Sequence, residues 1–370
     1  MNNSAKSARE PLFHIVKRTD IPWWKSWIIR ILAVAAALIV CALITVMLTG
    51  QNPIKVYATM LDGAFGTKRR IWSLAQNTAI LLCISLAVTP AFKMRFWNTG
   101  AEGQVLMGGL ATAACMLTFG STLPTPLLIL VMLVASIAAG AVWGLIPAIF
   151  RSRWNTNETL FTLMMNYIAI QLVSYFTYRW SVPKGSGQVG VINSQTMAGW
   201  LPKLFGKDYL LNIIIVAALT VFLYLYLHSS KHGYEISVVG ESENTARYIG
   251  INVKTVILRT MLLSGAICGL AGFLLVSGTD HTISRDLAAG RGFTAIMVSW
   301  LAKFNPFYMI LTSFLIVFLQ KGAVEISTVC GLNDSFSDIL TGIIIFFIIG
   351  SEFFINYRIK GREARKGAQA

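Results

Sequence analysis

Long apolar runs separated by short polar segments dominate this chain. Runs at 28–48, 72–92, 100–119, 126–150, 159–178, 209–227 and 256–276 each approach the ~20 residues that an α-helix needs to cross a bilayer. A shorter run follows at 292–302, then two more at 306–326 and 339–354. The pattern predicts an all-α, polytopic membrane protein of about ten transmembrane helices. It divides the chain into an N-terminal segment at 1–27, a membrane domain at 28–356 and a basic tail at 357–370. Between the runs, 50–70 and 179–208 read as polar loops and 228–254 as a charged stretch. The first run is too long for a signal-peptide core and ends in TGQNP rather than a small-residue cleavage site. It therefore reads as an uncleaved first helix.

Composition supports this reading. Of 370 residues, 55% are hydrophobic and 13% charged, where a soluble domain carries roughly a quarter charged. Mean hydropathy is +0.64, and too little charge is left to solvate a globule. Cys41, Cys83, Cys115, Cys268 and Cys330 lie in or beside apolar segments without CxxC spacing, as small membrane-core residues do.

Charge sets the orientation. With the amino terminus inside, about 20 of the 31 basic residues fall in cytoplasmic segments, as the positive-inside rule requires. The short turns KMR (93–95) and RSR (151–153) and the tail YRIKGREARK (357–366) are the cleanest markers, and they place both termini in the cytoplasm. Lys68, Arg69 and Arg70 fall on the outer side, against the rule. The net charge of +15 is spread over loops and tails with no basic face interleaved with aromatics. The expected partner of that charge is anionic membrane lipid and not nucleic acid.

Four places depart from a plain hydrophobic bundle. FWNTGAEGQ (96–104) opens the third run with glycines that permit a helix break, and it offers Asn98, Glu102 and Gln104. An acidic residue at that depth either lines a polar path or caps and orients its helix at the positive dipole end. NTNETL (155–160) supplies an N-cap in Thr156 or Asn157, with Glu158 in the first turn. Asn166 lies too far in for capping, so it is either an interhelical hydrogen bond or a pathway residue. In 233–251, Gly240 and Gly250 bracket a short helical segment, with Ser242 as its cap, Glu243 in its first turn and Arg247 near its end. With one Arg and two Glu it suits anionic lipid poorly and reads as a cytoplasmic docking element. The stretch 278–294, with Asp280, His281, Asp286 and Arg291, leads into a run too short to cross. It reads as a broken or re-entrant helix. Its acidic residues and single His match no ligand spacing, so no metal site and no catalytic residue is expected. No GxxxxGK[ST], HExxH or GxSxG occurs, which points to a transport function and away from an enzyme or a chain that binds ATP through its own P-loop.

At these residues the chain resembles the permease subunits of bacterial ABC importers, in the branched-chain amino acid/ribose-type permease family, and within it the nucleoside and simple-sugar branch. The resemblance rests on FWNTGAEGQVLMGG (96–109), NETLFTLMMNYIA (157–169), VGESENTARYIGI (239–251) and AGRGFTAIMVSWLAKFNP (289–306), in that order, and it runs from about 72 to 354. It implies a multi-pass protein of the bacterial plasma (inner) membrane that binds no cofactor itself. Its partners would be a second permease, most simply as a heterodimer, two cytoplasmic ATPase subunits or one fused ATPase that use ATP, and an extracytoplasmic solute-binding protein. It also implies that 240–251 is the coupling helix, so Gly240, Glu241, Ala246, Arg247, Gly250 and Ile251 become the candidate ATPase-coupling residues. Asn98, Glu102, Gln104 and Asn166 are the candidate pathway residues, either bonding a polar solute or holding the bent helix. The expected function is import of nucleosides or a related small polar solute by alternating access. A stand-alone secondary transporter or channel is the alternative class. The chain departs from the family's pattern at Trp97, Thr99, Trp300 and Lys303, near the presumed path.

Overall fold

The computed structural model describes residues 13–18, 21–50 and 52–361. Parts of the expected N-terminal segment and of the basic tail therefore lie outside the described residues. In hydrocarbon a backbone must satisfy its own N–H and C=O groups, and the apolar runs are accordingly helical. In chain order the elements are strand β1 (Phe13–Lys17), α1 (Trp23–Thr49), α2 (Pro53–Phe65), α3 (Lys68–Lys93), α4 (Ala101–Phe119), α5 (Thr125–Trp154) and α6 (Glu158–Trp180). There follow α7 (Leu210–Ser229), α8 (Lys231–Glu241), α9 (Glu243–Tyr248), α10 (Val253–Leu275), a π-helical turn (Val276–Asp280), α11 (Arg291–Leu301), α12 (Pro306–Val329), α13 (Asp334–Asn356) and strand β2 (Tyr357–Gly361).

Among the described residues, eight helices are long and apolar enough to cross a membrane. Of the ten expected spans, α4 and α11 are the two outside this set. The 19 residues of α4 include Glu102 and Gln104, and α11 has 11 residues, about 16 Å of helix against a hydrocarbon core of ~30 Å.

One expectation is corrected. The loop expected at 50–70 contains α2, whose Val56, Met60 and Ala64 are buried at helical spacing. The four-residue recurrence is masked in the sequence by Lys55 and Asp62 on the other faces. The fold class is all-α as expected, with one short two-stranded ribbon added to the helices. β1 and β2 pair antiparallel, from Phe13 opposite Gly361 to Lys17 opposite Tyr357, which puts the ends of α1 and α13 that adjoin them on one side of the membrane.

The chain forms two compact units, one of the described residues up to Gly63 with those from Leu319 on, the other Ala64–Phe318. In the first, α1 packs along α13, and the Arg30 guanidinium donates through Nε and Nη2 to Glu352 Oε1 at 3.0 and 2.6 Å. Tyr57 of α2 donates its hydroxyl to the Leu38 carbonyl of α1 at 2.8 Å.

The second unit is centred on α3 and α10. Their apolar windows are 67% and 72% buried, against 22–39% in the other six spans. Gly265 and Gly269, one turn apart on α10, lie against Gly140 and Ser136 of α5 so closely that a Cβ on either glycine would meet α5 main chain. Small residues at four-residue spacing let membrane helices approach backbone to backbone, where dispersion and not the hydrophobic effect drives packing.

The π-helical turn ends α10 and disturbs its hydrogen-bond ladder. The Leu274 carbonyl accepts from Asn212 Nδ2 at 3.4 Å and Thr279 Oγ1 at 3.3 Å. The long loop after α6 seals this end. Trp200 stacks on His281 at 3.7 Å between ring centroids, and the Leu201 N–H donates to the Ser277 carbonyl at 3.0 Å.

Candidate functional site

The first turn of α4 is a hub. Residues 96–100 are non-helical after α3, and the polar side chains the sequence singles out pin this break to three other helices. Asn98 and Gln104 bond reciprocally, Asn98 Nδ2 to Gln104 Oε1 at 3.4 Å and Gln104 Nε2 to Asn98 Oδ1 at 3.2 Å. Asn98 also donates to Ser264 Oγ of α10 at 3.2 Å and accepts from the Gly100 N–H at 3.1 Å. Asn166 of α6 accepts from the Gly103 N–H at 2.9 Å and donates to the Thr99 carbonyl at 2.8 Å. All four candidate pathway residues are buried, and each is engaged by the chain itself.

Glu102, read from the sequence as either a pathway residue or a cap of its own helix, bonds to a different helix. It stands in the first turn of α4, yet its carboxylate accepts from the Gly290 N–H at 2.8 Å and the Gly292 N–H at 2.7 Å, at the N-terminus of α11. The positive end of the α11 dipole and its free N–H groups make that terminus an anion seat. Gly292 is required there, because a Cβ would meet the Glu102 nitrogen at 2.5 Å and Oε2 at 2.7 Å. The other end of α11 returns to the same segment. Trp300 stacks on Trp97 at 5.8 Å, with Phe92 edge-on to both. The two tryptophans that depart from the family pattern are thus neighbours in space, and Thr99 is bonded to Thr162 of α6.

A second polar group lies between α3 and the approach to α11, and sequence reasoning missed its α3 half. Arg291 donates through Nη2 to Asn77 Oδ1 at 3.0 Å, and Gln76 Nε2 donates to Thr279 Oγ1 at 2.6 Å. Gln76 is 1% exposed, and its Oε1 has no hydrogen-bond partner. The available signal was two adjacent amides inside an apolar span. Among the described residues, no group of three or more His, Cys, Asp or Glu is placed to hold a metal ion.

The third feature is the pair α8–α9. The short helix expected between Gly240 and Gly250, with Ser242 as its cap, is α9 (243–248), while Gly240 and Glu241 finish the preceding α8. The physical cause is Ser242, extended at φ −159°, whose side chain accepts from the Thr245 N–H and so starts a new helix. Gly240 lies against the end of α3, where a Cβ would run into the Lys93 carbonyl. Ala246 is wholly buried, in one cluster with Ala91, Met94 and Ala148. Arg247, Gly250 and Ile251 lie on or just after α9.

Ion pairs fasten this pair to the spans. Arg151 of α5 reaches Glu158 of α6 at 3.4 Å and Glu243 of α9 at 3.5 Å. Arg259 of α10 reaches Glu235 of α8 at 2.6 Å, and its guanidinium holds the Glu235 carboxyl below the usual carboxylate range. What the pair presents outward mixes aromatic, basic and acidic side chains, with Glu241 among the exposed residues. Tyr248 is 93% exposed, beside Ile249 and Arg247, and Tyr234 of α8 is also exposed. From the sequence Arg151 reads only as part of a basic orientation marker, and Tyr248 has no role of its own there.

Helices long and apolar enough to cross a membrane, together with a helix pair fastened to their ends by ion pairs, fit a multi-pass membrane protein. The chain belongs to the family described as branched-chain amino acid transport system / permease component, whose profile matches residues 70–349. It is similar to the glucose ABC transporter permease protein TsgB13 of Haloferax volcanii, 29% identical over 95% of this chain and 95% of that protein. It is also similar to the guanosine ABC transporter permease protein NupP of Bacillus subtilis, at 28% over 92% of this chain and 97% of NupP. With the nucleoside ABC transporter permease protein NupB of Lactococcus lactis it shares 27% over 87% of this chain and 90% of NupB. A second Bacillus subtilis guanosine permease protein, NupQ, is 25% identical over 56% of this chain and 67% of its own length.

Proposed function

We propose that this chain is one of two permease subunits of an ATP-driven importer for nucleosides or a related small polar solute. It works in the plasma membrane with both termini in the cytoplasm. The observation that carries this reading is the α8–α9 pair, whose exposed Tyr248, Ile249 and Arg247 face outward while Gly240, Ala246 and Arg151 join it to α3, α5 and α6. A partner pushing on α9 would therefore move the ends of three spans together. Cytoplasmic ATPase subunits are the partner that alternating access needs, and ATP is used by them.

In this mechanism the hub at α4 carries the motion inward. Asn98, Gln104 and Asn166 hold the helix break, and Glu102 hands the displacement to α11 through two N–H bonds. The solute would pass along the polar faces that adjoin this hub. NupP and NupQ are both named guanosine permease proteins, which supports pairing with a second, different permease and a nucleoside as first choice. TsgB13 is named for glucose, and a sugar is the second.

The test is uptake by proteoliposomes holding the co-purified complex and its solute-binding protein. ATP-dependent accumulation of radiolabelled guanosine, unaffected by a hundredfold excess of glucose, is the expected result. Accumulation without ATP, or recovery of the chain without any nucleotide-binding subunit, would instead indicate a secondary transporter or channel.

A further inference from the structure

A groove of about 720 Å³ runs between α3, α7 and the first half of α12. Apart from Thr78 and Thr220 its lining is hydrocarbon, with Leu74, Val216 and Phe314 among the side chains that form it. The α3 residues that line it, Ile71, Leu74, Ala75, Thr78, Ala79 and Leu82, recur at helical spacing. That stripe is about 16 Å long at 1.5 Å per residue, close to half of the ~30 Å hydrocarbon core. The groove therefore has the depth of one leaflet, and its Ile71 end adjoins the turn between α2 and α3.

That turn carries exposed positive charge. Lys68 and Arg69 are exposed in the first turn of α3, where the helix dipole disfavours cations. With cytoplasmic termini they also stand on the side where the positive-inside rule disfavours them. Lys207 joins them, its Nζ lying 5.0 Å from the centre of the Trp72 ring, and Trp72 is the kind of residue that marks a membrane–water interface. Basic side chains at an interfacial aromatic, above a one-leaflet apolar groove, together make a complete amphiphile site: phosphate outside, hydrocarbon inside.

We propose that this groove binds an anionic phospholipid of the outer leaflet, with its headgroup against Lys68, Arg69 and Lys207 and an acyl chain along α3, α7 and α12. A neutral apolar protein surface would fill the groove without using the cations. The site is separate from the α4 hub and from α8–α9, so it does not depend on which solute is carried.

The experiment is native mass spectrometry of the whole complex, released from mild detergent and titrated with phosphatidylglycerol or phosphatidylcholine of identical acyl chains. Phosphatidylglycerol should be retained at least fivefold over phosphatidylcholine. The triple variant Lys68→Ser, Arg69→Ser, Lys207→Ser, altered only at the interface, should lose that preference. The double variant Ala75→Phe, Ala217→Phe should retain neither lipid. Equal retention of both lipids by the unaltered complex, or unchanged retention by the triple variant, would overturn the proposal. So would a disulfide between Ala217→Cys and the second permease, since the groove would then be covered by protein.

Discussion

The α4 hub and the α8–α9 pair do the same mechanical job, fixing a helix end to neighbouring spans, with opposite chemistry. In the hub the links are neutral amides, main-chain N–H groups and one carboxylate held by two of them. In the helix pair the links are ion pairs, Arg151 with Glu158 and Glu243 and Arg259 with Glu235. Burial accounts for the difference. Charge is costly in a low-dielectric interior unless it is fully bonded, whereas at a membrane face water and salt screen it. The hub should therefore be stiff and insensitive to salt, and the pair adjustable and salt-sensitive, as a moving contact requires.

The largest effect is expected at Glu102. Glu102→Ala leaves the buried Gly292 N–H and the part-buried Gly290 N–H at the start of α11 without acceptors, roughly 1–3 kcal/mol for the buried group and less for the other. The denaturation midpoint of the detergent-solubilised protein should fall sharply at any ionic strength. A fall of less than a degree would show that α11 does not hang on Glu102.

Gly240→Ala comes next. Its methyl group would meet the Lys93 carbonyl, and overpacking of this kind costs about 1–3 kcal/mol. Membrane insertion should persist while uptake is lost and ATP hydrolysis no longer responds to solute. Normal coupling in this variant would separate α8 from the mechanism.

Asn166→Leu sharpens the comparison from the hub side. It removes bonds to Gly103 and Thr99 at a cost of about 1–2 kcal/mol, unchanged between low and high salt. Glu243→Gln is the matching change in the pair. Its partner is partly exposed, so the loss is about 0.2–1 kcal/mol, and it should vanish in 1 M salt. If Asn166→Leu proved the salt-sensitive variant of the two, the distinction drawn here would fail.

The smallest effect concerns pH. Arg259 depresses the Glu235 pKa in the folded protein, so this pair contributes fully above the ordinary glutamate value of about 4.3. The contribution is lost as pH falls through the lower folded value. The stability gap between the wild type and Glu235→Gln should stay constant from pH 8 to 5 and close on further acidification. A gap that instead closed above pH 6 would exclude Glu235 as its source.

Much of the fold is legible in the sequence because it follows from local rules. Asn157 caps α6 and Ser242 caps α9, each a side-chain acceptor just before a helical run. The shortness of α11 is visible as a run of about eleven apolar residues between Gly290 and Lys303. Glu102 marks the boundary of that legibility. Its place in the first turn of α4 is readable, but the N–H groups it accepts are 188 and 190 residues away. The same holds for Trp97 and Trp300, two separate departures from a pattern that become one stacked pair.

By itself the sequence determined that the chain crosses the membrane many times, where most helices begin, and which residues are too polar for their depth. Hydropathy, capping and charge bias act over a few residues, so a linear reading captures them. Only the tertiary structure decided what the polar residues hold and that α2 replaces a loop. Those outcomes depend on which backbones glycines allow to meet and on which distant N–H groups remain unbonded, and no local pattern encodes either. Among the described residues, the ten apolar runs read at the outset thus resolve into eight helices long and apolar enough to cross a membrane, with α4 and α11 outside that set and joined to each other at Glu102.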